Sequence, residues 1–337
     1  MTIVGGLDLH RRQITFDYLD TATGELHRGR IAPADRDHLR SWLGKLAEES
    51  GDFSVEGCTG WRFVVEELAA AGLRPHLAEP AETATARGRK RRAKTDKGDA
   101  SWQRELLLAG TLPESWIPPT HVLEVRALVR LYVDLLGEYI GWRQRLHATL
   151  FHHGAPVTAQ LTSELLDRVE LSPAGRDAAA TALRQLQRLT EELDSLRRRL
   201  HRIAGRQPGC LALQSHYGIG PLTAIAIWEE LGDTRRFSSS RAAVRHAGLD
   251  ITVYSSDTTR APGYLSRQGP AVLRWALFEA ALRAGNDNSP DHAYYLQVKQ
   301  RRGTQRATLS VARKLARRCH HTLRALGDKA WAPAPLD

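Results

Sequence analysis

Short apolar runs with a period of two dominate the first part of the chain and predict β-strands. Three such runs, TIVGGLDL, RQITFDYL and ELHRGRI, follow one another over residues 2–9, 12–19 and 25–31. Only His10-Arg11 links the first two, and the turn-forming segment Thr21-Ala22-Thr23-Gly24 separates the second from the third. The pattern therefore predicts a three-stranded meander.

Helical periodicity then alternates with further strands. The predicted elements are a helix over 34–48, a strand over 52–56, a helix over 60–71 that ends at Gly72, a strand over 74–78 and a helix that opens near Lys94-Thr95-Asp96. The resulting order, βββαβαβα, is the order of a ribonuclease-H-like domain. We therefore expect an α/β domain of that kind over residues 1–115.

Two long helices are predicted in the middle of the chain, over 120–152 and 173–205, and the second opens at Ser172-Pro173. Apolar residues of the second helix recur at spacings of three or four: Leu183, Leu186, Leu189, Leu193, Leu196, Leu200 and Ile203. Such a seam needs a partner helix. The sequence leaves open whether an intramolecular hairpin or a dimeric coiled coil supplies that partner.

The character of the chain changes near residue 208, where a second compact domain is expected. It contains HYGIGPLTAIAIWEELGD at 216–233, a stretch rich in Ser and Arg, a helix around 270–284 and a basic helix over 299–326. The fold class is thus α/β plus α. The predicted divisions are an α/β domain over 1–115, a helical coiled-coil linker over 116–206, a mostly helical domain over 207–328 and a tail over 329–337.

The charge of the chain indicates what kind of partner it binds. The chain has 48 basic and 38 acidic residues, a formal net charge of +10, which favours a polyanionic partner. Residues 87–97 hold seven cations, and residues 292–327 hold nine Lys or Arg and no carboxylate. Two separate basic surfaces are therefore expected, the first of them built by Arg87, Arg89, Lys90, Arg91, Arg92 and Lys94.

Several classes of protein are disfavoured by what the sequence lacks. Its three cysteines are far apart, its fourteen histidines form no HExxH motif, and no GxxxxGK[ST] loop is present. Disulfide scaffolds, zinc hydrolases and P-loop ATPases are therefore not indicated. No apolar run of about 18 residues and no secretory signal is seen, so a cytoplasmic protein without a membrane segment is expected.

Four carboxylates lie where a metal site is expected. Asp8 interrupts an apolar strand, and a buried carboxylate needs a pairing cation. Glu56 ends another strand, while Asp96 and Asp99 share one face at a helix N-terminus. Such hard oxygen ligands suit Mg²⁺ or Mn²⁺, and two ions of this kind assist phosphodiester transfer. Taken singly, the four also fit a strand-end turn residue, a surface carboxylate, a helix cap and a solvated helix residue.

A rival fold also carries an Asp on its first strand. The actin-like ATPases have one, but they need a Gly- and Thr-rich phosphate loop next, and His10-Arg11-Arg12 does not supply it. The ribonuclease-H-like interpretation is therefore preferred.

Two segments of the C-terminal domain are candidates for contacts with nucleic acid. Gly218 and Gly220 resemble the hairpin of a helix-hairpin-helix element, in which backbone N–H groups approach a phosphate, although an ordinary tight turn also fits. Ser256 lies in a polar segment with Arg260 and Arg267, and a hydroxyl beside guanidinium groups can attack a phosphodiester. By composition alone an ordinary Ser-rich loop is the preferred interpretation of this segment.

Several motifs together resemble the DEDD transposases of bacterial insertion sequences. They are GLDLH at 6–10, VEGCTGWRF at 55–63, AKTDKGDA at 93–100, YGIGPLTA at 217–224, FSSSRAAVRHAGLD at 237–250 and YSSDTTRAPGYLSRQGPAVLRWALFEAA at 254–281. The resemblance implies a RuvC-like N-terminal domain and a C-terminal transposase domain that holds a serine. It also implies that Asp8, Glu56, Asp96 and Asp99 form a metal-binding tetrad and that Ser256 is a nucleophile.

One position departs from the family pattern. Asp257 follows the serine, where many members have glycine, and this leaves Ser255 as an alternative nucleophile. The resemblance further implies a covalent phosphoserine intermediate, DNA ends and target as substrates, and guidance by a structured noncoding RNA. It also implies composite sites shared between protomers of a homo-oligomer, a dimer or a tetramer in the synaptic complex, in a nucleoid-associated bacterial protein.

Two other functions remain open from the sequence. A structure-specific junction endonuclease would need the carboxylates but not Ser256, and a non-catalytic nucleic-acid-binding module would need only the basic surfaces.

Overall fold

The computed structural model describes residues 3–46, 50–88, 95–155, 161–252, 255–256, 259–260 and 263–333, with the backbone alone at 252, 255–256 and 259–260. By its internal contacts the chain divides into two compact units, Met1–Ile117 and Pro118–Asp337.

The first unit is a mixed sheet with helices. Its strands are β1 (Ile3–Leu9), β2 (Ile14–Asp20), β3 (Leu26–Ile31), β4 (Gly51–Glu56), β5 (Arg74–Ala78) and β6 (Glu114–Ser115). Its helices are α1 (Arg36–Leu43), α2 (Trp61–Ala70), α3 (Pro80–Ala86) and α4 (Asp96–Leu108). The predicted meander and the helix–strand alternation after it are confirmed. The helix predicted over 34–48 ends early, at Leu43, and α3 and β6 were not predicted.

The strands lie in the order β3-β2-β1-β4-β5-β6. The meander is antiparallel, β4 and β5 continue parallel to β1, and β6 closes the edge antiparallel to β5. Leu7 pairs with Val55, and both lie in the same apolar core as Phe53, together with residues of α1 and α2. Because side chains alternate along a strand, Gly6, Asp8, Ser54 and Glu56 lie on the opposite face.

Helix α4 covers that opposite face. A Cβ at Gly6 would lie 2.2 Å from the carbonyl oxygen of Ala100, so the helix backbone rests directly on β1. Arg104 of α4 is buried, and its Nε donates to Oδ1 of the buried Asp17 on β2 at 2.6 Å. The absence of a side chain at Gly6 and the buried ion pair between Arg104 and Asp17 thus hold α4 against the central strands. They also fix the position of the N-terminal end of α4, where Asp96 lies.

The second unit is mostly helical. Its helices are α5 (Thr120–His152), α6 (Ser163–Arg168), α7 (Pro173–Arg206), α8 (Pro208–Leu213), α9 (Pro221–Leu231), α10 (Ser240–His246), α11 (Ala271–Leu282), α12 (His292–Arg302) and α13 (Thr304–Leu326). In the described part of the segment between α10 and α11 there are four two-residue strands: β7 (Ile251–Thr252), β8 (Ser255–Ser256), β9 (Thr259–Arg260) and β10 (Tyr264–Leu265). Among the described residues, no helix combines the length and apolar character needed to cross a membrane.

The two long helices pack on each other within the chain. Leu146 and Leu150 of α5 share a buried cluster with Ala179, Ala182 and Leu186 of α7. Further along, Nη2 of Arg197 donates to the hydroxyl of Tyr132 at 3.1 Å. The seam of α7 therefore has an intramolecular partner, which is the hairpin alternative of the two that the sequence left open.

The prediction of one continuous basic helix over 299–326 is wrong. The segment is divided between α12 and α13 by Gly303, whose φ of 83° only glycine adopts without strain. Apolar residues of α13 face the interior of the unit, with Leu315 and Leu323 buried. The carbonyl oxygen of Ala330, beyond this helix, accepts a hydrogen bond from Nε1 of the buried Trp228 at 2.8 Å.

Candidate active site

Asp8 and Glu56 lie side by side at the ends of neighbouring strands. Leu7 of β1 pairs with Val55 of β4 in a parallel register, so the next residue on each strand is a carboxylate on the face that α4 covers. Asp8 is only 5% exposed, whereas Glu56 is half-buried. The carboxyl ends of parallel strands are where open α/β sheets hold their sites.

The N-terminus of α4 brings a third carboxylate to this place. Thr95 caps the helix, its hydroxyl accepting from the backbone N–H of Gly98 at 3.2 Å. The alternative interpretation of Asp96 as the helix cap is therefore wrong, and its carboxylate is available for other partners. Oδ2 of Asp96 accepts from Nε2 of Gln13 at 3.2 Å.

His10 joins Asp8 to Asp96. Its Nε2 lies 3.1 Å from Oδ2 of Asp8 and 3.4 Å from Oδ1 of Asp96. One ligand atom from each of the three residues lies within 4.8 Å of the other two, close enough to hold one metal ion. From the sequence, His10 was expected only to link two strands. The signal available for a functional role was its place two residues after Asp8, at the exit of the same strand.

Asp99 lies one helical turn beyond Asp96 and pairs with Arg87. Nη1 of Arg87 donates to Oδ1 of Asp99, and Nη2 donates to the carbonyl oxygen of Gly98 at 2.8 Å. Arg87 thus connects the predicted basic run to the carboxylate group. The other members of that run, Arg89, Lys90, Arg91, Arg92 and Lys94, lie outside the described residues.

The electrostatics of the group favour a bound cation. Burial raises the pKa of Asp8, the charges of Asp99 and Asp96 raise it further, and His10 opposes them. Burial, then the charges of Glu56 and Asp8, also raises the pKa of the Cys58 thiol. A buried carboxylate surrounded by like charges is unfavourable without a counter-ion, and its oxygen donors fit a divalent cation.

Ser256 lies in a two-part β-hairpin of the second unit. Ile251 and Leu265 pair in the first ladder, and in the second ladder Ser255 pairs with Arg260 and Ser256 with Thr259. Asp257 lies outside the described residues.

The base of the hairpin is fixed from two sides. The Ser266 hydroxyl donates to Asp250, and Nε of Arg313 on α13 donates to the carbonyl oxygen of Leu249 at 2.6 Å. Arg267, predicted to contact nucleic acid, is exposed and has a φ of 53°, which is uncommon for a residue other than glycine. The backbone that carries the serines is therefore held at its base.

Gly218 and Gly220 have roles inside the fold. A Cβ at Gly218 would lie 2.3 Å from the carbonyl oxygen of Ala280, so this glycine allows close packing against α11. The N–H of Gly220 donates to Oγ1 of Thr223 at 3.0 Å, within the cap of α9. These packing and capping contacts explain both glycines without invoking a bound ligand. Contact of Gly218 and Gly220 with phosphate stays a prediction.

Comparison with known proteins gives two family matches. A family model described as Transposase IS116/IS110/IS902 family matches residues 210–296, and a model of IS110-type DEDD proteins, described as Transposase, matches residues 5–153. The first range contains Ser256, and the second contains the four carboxylates.

Two relatives support these matches. The transposase for insertion sequence element IS1111A of Coxiella burnetii is 28% identical over 194 residues, 56% of this chain and 52% of the relative. The protein y4rJ of Sinorhizobium fredii, also named as a transposase, is 28% identical over 265 residues, 69% of this chain and 65% of the relative. The aligned parts thus span between half and two thirds of each relative. With both family matches in the expected order, the chain belongs to the IS110 family of DEDD transposases.

Proposed function

We propose that the protein is a DNA transposase that cuts and rejoins strands with a divalent-metal site and a serine nucleophile. The observation that carries the proposal is the group of Asp8, His10 and Asp96 at the carboxyl end of the central strands, in a chain that belongs to a transposase family. The strand order and pairing support a ribonuclease-H-like fold for this unit. The names of both relatives support DNA as the substrate.

The proposed metal ligands are Asp8, Glu56, Asp96 and Asp99, and the proposed ion is Mg²⁺ or Mn²⁺. When bound, such an ion polarises a phosphoryl oxygen and stabilises the charge that develops in strand transfer. The protein contributes the buried setting of Asp8, which lies between the sheet and α4. Arg87, the one described cation of the basic run at 87–94, is paired with Asp99 and would contact the phosphate backbone beside the carboxylates.

The proposed nucleophile is Ser256, with Ser255 as the alternative. Its hydroxyl loses a proton as Oγ bonds to phosphorus, the bond from phosphorus to the leaving sugar oxygen breaks, and that oxygen takes up a proton. Religation reverses these steps. Arg260 and Arg267 belong to the same hairpin segment and would stabilise the charge on the transferring phosphate.

The proposal extends to partners. We infer a homo-oligomer, a dimer or a tetramer when the ends are brought together, and a structured noncoding RNA that selects donor and target DNA. Gly218 and Gly220 are proposed to contact nucleic acid together with the basic run at 87–94. Because the substrate is bacterial DNA, the protein is expected to act in the cytoplasm at the nucleoid.

The test is trapping of the covalent intermediate. Protein copurified from cells that carry the whole element is incubated with labelled element ends and Mg²⁺, denatured, and examined for protein joined to DNA. We expect Ser256→Ala and Asp8→Asn to lose the adduct and all strand exchange. The matched control is Ser238→Ala, which alters an exposed serine outside the hairpin and should retain both.

The outcomes separate the candidate functions. Loss of the adduct in Ser255→Ala but not in Ser256→Ala would keep the mechanism and move the nucleophile by one residue. Nicking without an adduct, unchanged in Ser256→Ala, would overturn the serine mechanism in favour of a junction endonuclease. Binding of DNA without any cleavage would favour a non-catalytic module.

A further inference from the structure

His10 occupies a position that its surroundings do not explain as an ordinary surface histidine. It directly follows β1, and its backbone N–H donates to the carbonyl oxygen of Gln13 at 2.9 Å, which closes the turn into β2. The backbone is therefore fixed, and the ring reaches back over the carboxyl end of the sheet. Its Nε2 faces Asp8 and Asp96 together, at 3.1 and 3.4 Å.

Nε2 of His10 faces both carboxylates, where it can act either as a hydrogen-bond donor or as a metal ligand. An N–H on Nε2 points in one direction and so serves one carboxylate well. A metal ion bound by Nε2 can contact an oxygen of Asp8 and an oxygen of Asp96 at once, since the three ligand atoms lie within 4.8 Å of one another. The next two residues, Arg11 and Arg12, are exposed and, among the described contacts, pair with neither carboxylate. The two guanidinium groups that follow His10 in the sequence therefore do not neutralise Asp8 and Asp96.

We propose that His10 binds the active-site metal through Nε2, together with Asp8 and Asp96, and makes the site prefer Mn²⁺ to Mg²⁺. The inference rests on the proposed metal site and adds a nitrogen ligand to its four carboxylates. Mg²⁺ strongly favours oxygen ligands and holds its water tightly, whereas imidazole binds later first-row ions better. One nitrogen among oxygen donors therefore shifts selectivity toward Mn²⁺ without excluding Mg²⁺.

The chain offers a closely matched control histidine. His38 on α1 has a half-exposed side chain, 50% against 51% for His10, and its Nδ1 also contacts a carboxylate, Oδ1 of Asp35 at 2.8 Å. That pair lies at a helix N-terminus, where Asp35 caps α1. A change at His38 thus removes an equally exposed histidine beside an Asp, but outside the candidate site.

The experiment is pulsed electron paramagnetic resonance of the full chain loaded with Mn²⁺. We expect electron spin echo modulation from a coordinated ¹⁴N in wild type and in His38→Gln, and its loss in His10→Gln. Competition titration should give a Mn²⁺-to-Mg²⁺ affinity ratio that falls at least about tenfold in His10→Gln only. Labelling histidine with ¹⁵N should change the modulation in wild type, which assigns it to imidazole.

The Asp8→Asn variant tests the metal site separately from the role proposed for His10. If Mn²⁺ binds wild type and is lost in Asp8→Asn, but no nitrogen coupling is seen, the metal site stands and the role given to His10 is overturned. An unchanged affinity ratio in His10→Gln overturns it equally. If Mn²⁺ binds wild type and Asp8→Asn alike, the ion is elsewhere, and both the site and this inference fail.

Discussion

At the scale of single residues, the candidate site depends on a position without a side chain. Gly6 lies on β1 two residues before Asp8, and a Cβ there would meet backbone atoms of α4, the carbonyl oxygen of Ala100 at 2.2 Å and the amide nitrogen of Arg104 at 2.8 Å. Backbone atoms cannot swing away as the end of a flexible side chain can. The glycine therefore sets how closely α4, with Asp96 at its first turn, approaches Asp8.

Gly6→Ala should accordingly destabilise the protein and displace α4. Overpacking against a backbone costs about 1–3 kcal/mol, and we expect the free energy of unfolding in urea to fall by that amount. Gly44→Ala is the matched control, because Gly44 has a φ of −58° and a Cβ added there would meet no atom within 4 Å. Equal stability of Gly6→Ala and wild type would show that α4 does not rest on β1 as described.

Individual residues of the candidate site also differ in how far the sequence alone could predict them. Asp8 was recognisable because an acidic residue in an apolar strand is chemically out of place, and Glu56 because it ends the next parallel strand. The only sequence signal for His10 was its place two residues after Asp8, and it was weak, because a polar residue after a strand is ordinary and the second partner, Asp96, is distant in sequence. The sequence also did not predict the ion pair between Asp99 and Arg87, because that contact depends on how the chain folds between the two residues.

Among the helices, the length of each one determined whether the sequence could predict it. The two long helices were predicted to within about a residue at each end, because an amphipathic repeat over more than thirty residues is unambiguous. Helices α3 and α6 have seven and six residues and are too short to show a period. The break between α12 and α13 was missed because apolar spacing continues on both sides, and only the backbone angle of Gly303 separates them.

That break creates a cationic corner, which we define as Lys299, Arg301, Arg302 and Arg306. All four are exposed and, within the described part of the chain, none forms an ion pair, whereas Lys314 and Arg318 of α13 both pair with Asp291. Unpaired cations at one corner suit the phosphate backbone of a nucleic acid more than individual bases. The corner gives the predicted basic surface of residues 292–327 a defined location.

Neutralising Arg301, Arg302 and Arg306 to Gln should weaken duplex DNA binding for every sequence alike. The slope of log K against log salt should flatten by up to about 2.7, at about 0.9 for each lost phosphate contact. The control is Arg235→Gln, which alters an exposed arginine already paired with Asp233 and Asp328. A loss restricted to one target sequence, or an unchanged slope, would contradict a backbone contact at this corner.

In the molecule as a whole, ionisable side chains lie in the interior of the second unit as well as on its surface. Glu229 of α9 is fully buried, and its Oε2 accepts from Nε of Arg126 on α5 at 2.7 Å. Burial, aided by the charge of Glu230, raises the pKa of Glu229 to about 8 despite Arg126. Nearby, burial and then the charge of Arg236 lower the pKa of His246 to about 4. The interior of this unit therefore favours the neutral form of both groups.

These two groups make stability depend on pH with opposite signs. Between about 4 and 6.5 the unfolded chain gains a proton at His246 that the folded chain does not, so His246 makes stability rise with pH. From about 4.5 to about 8 the folded chain keeps a proton at Glu229 that the unfolded chain loses, so Glu229 makes stability fall with pH. The two effects oppose each other below 6.5, and above it only the Glu229 effect remains.

Glu229→Gln isolates that remaining effect, because the amide keeps an acceptor for Arg126 and cannot ionise. Between pH 6.5 and 8 we expect the free energy of unfolding of wild type, minus that of Glu229→Gln, to fall by roughly 1 kcal/mol per pH unit. The measurement is urea unfolding at several pH values, and subtracting the variant cancels the titration of every group that both proteins share. A difference that stays constant with pH would mean that Glu229 is ionised in the fold and that Arg126 fully offsets its burial. In that case the contact of α5 with α9 would be an ordinary buried ion pair, and removing Arg126 rather than Glu229 would be the more damaging change, since it would leave an uncompensated carboxylate in the core.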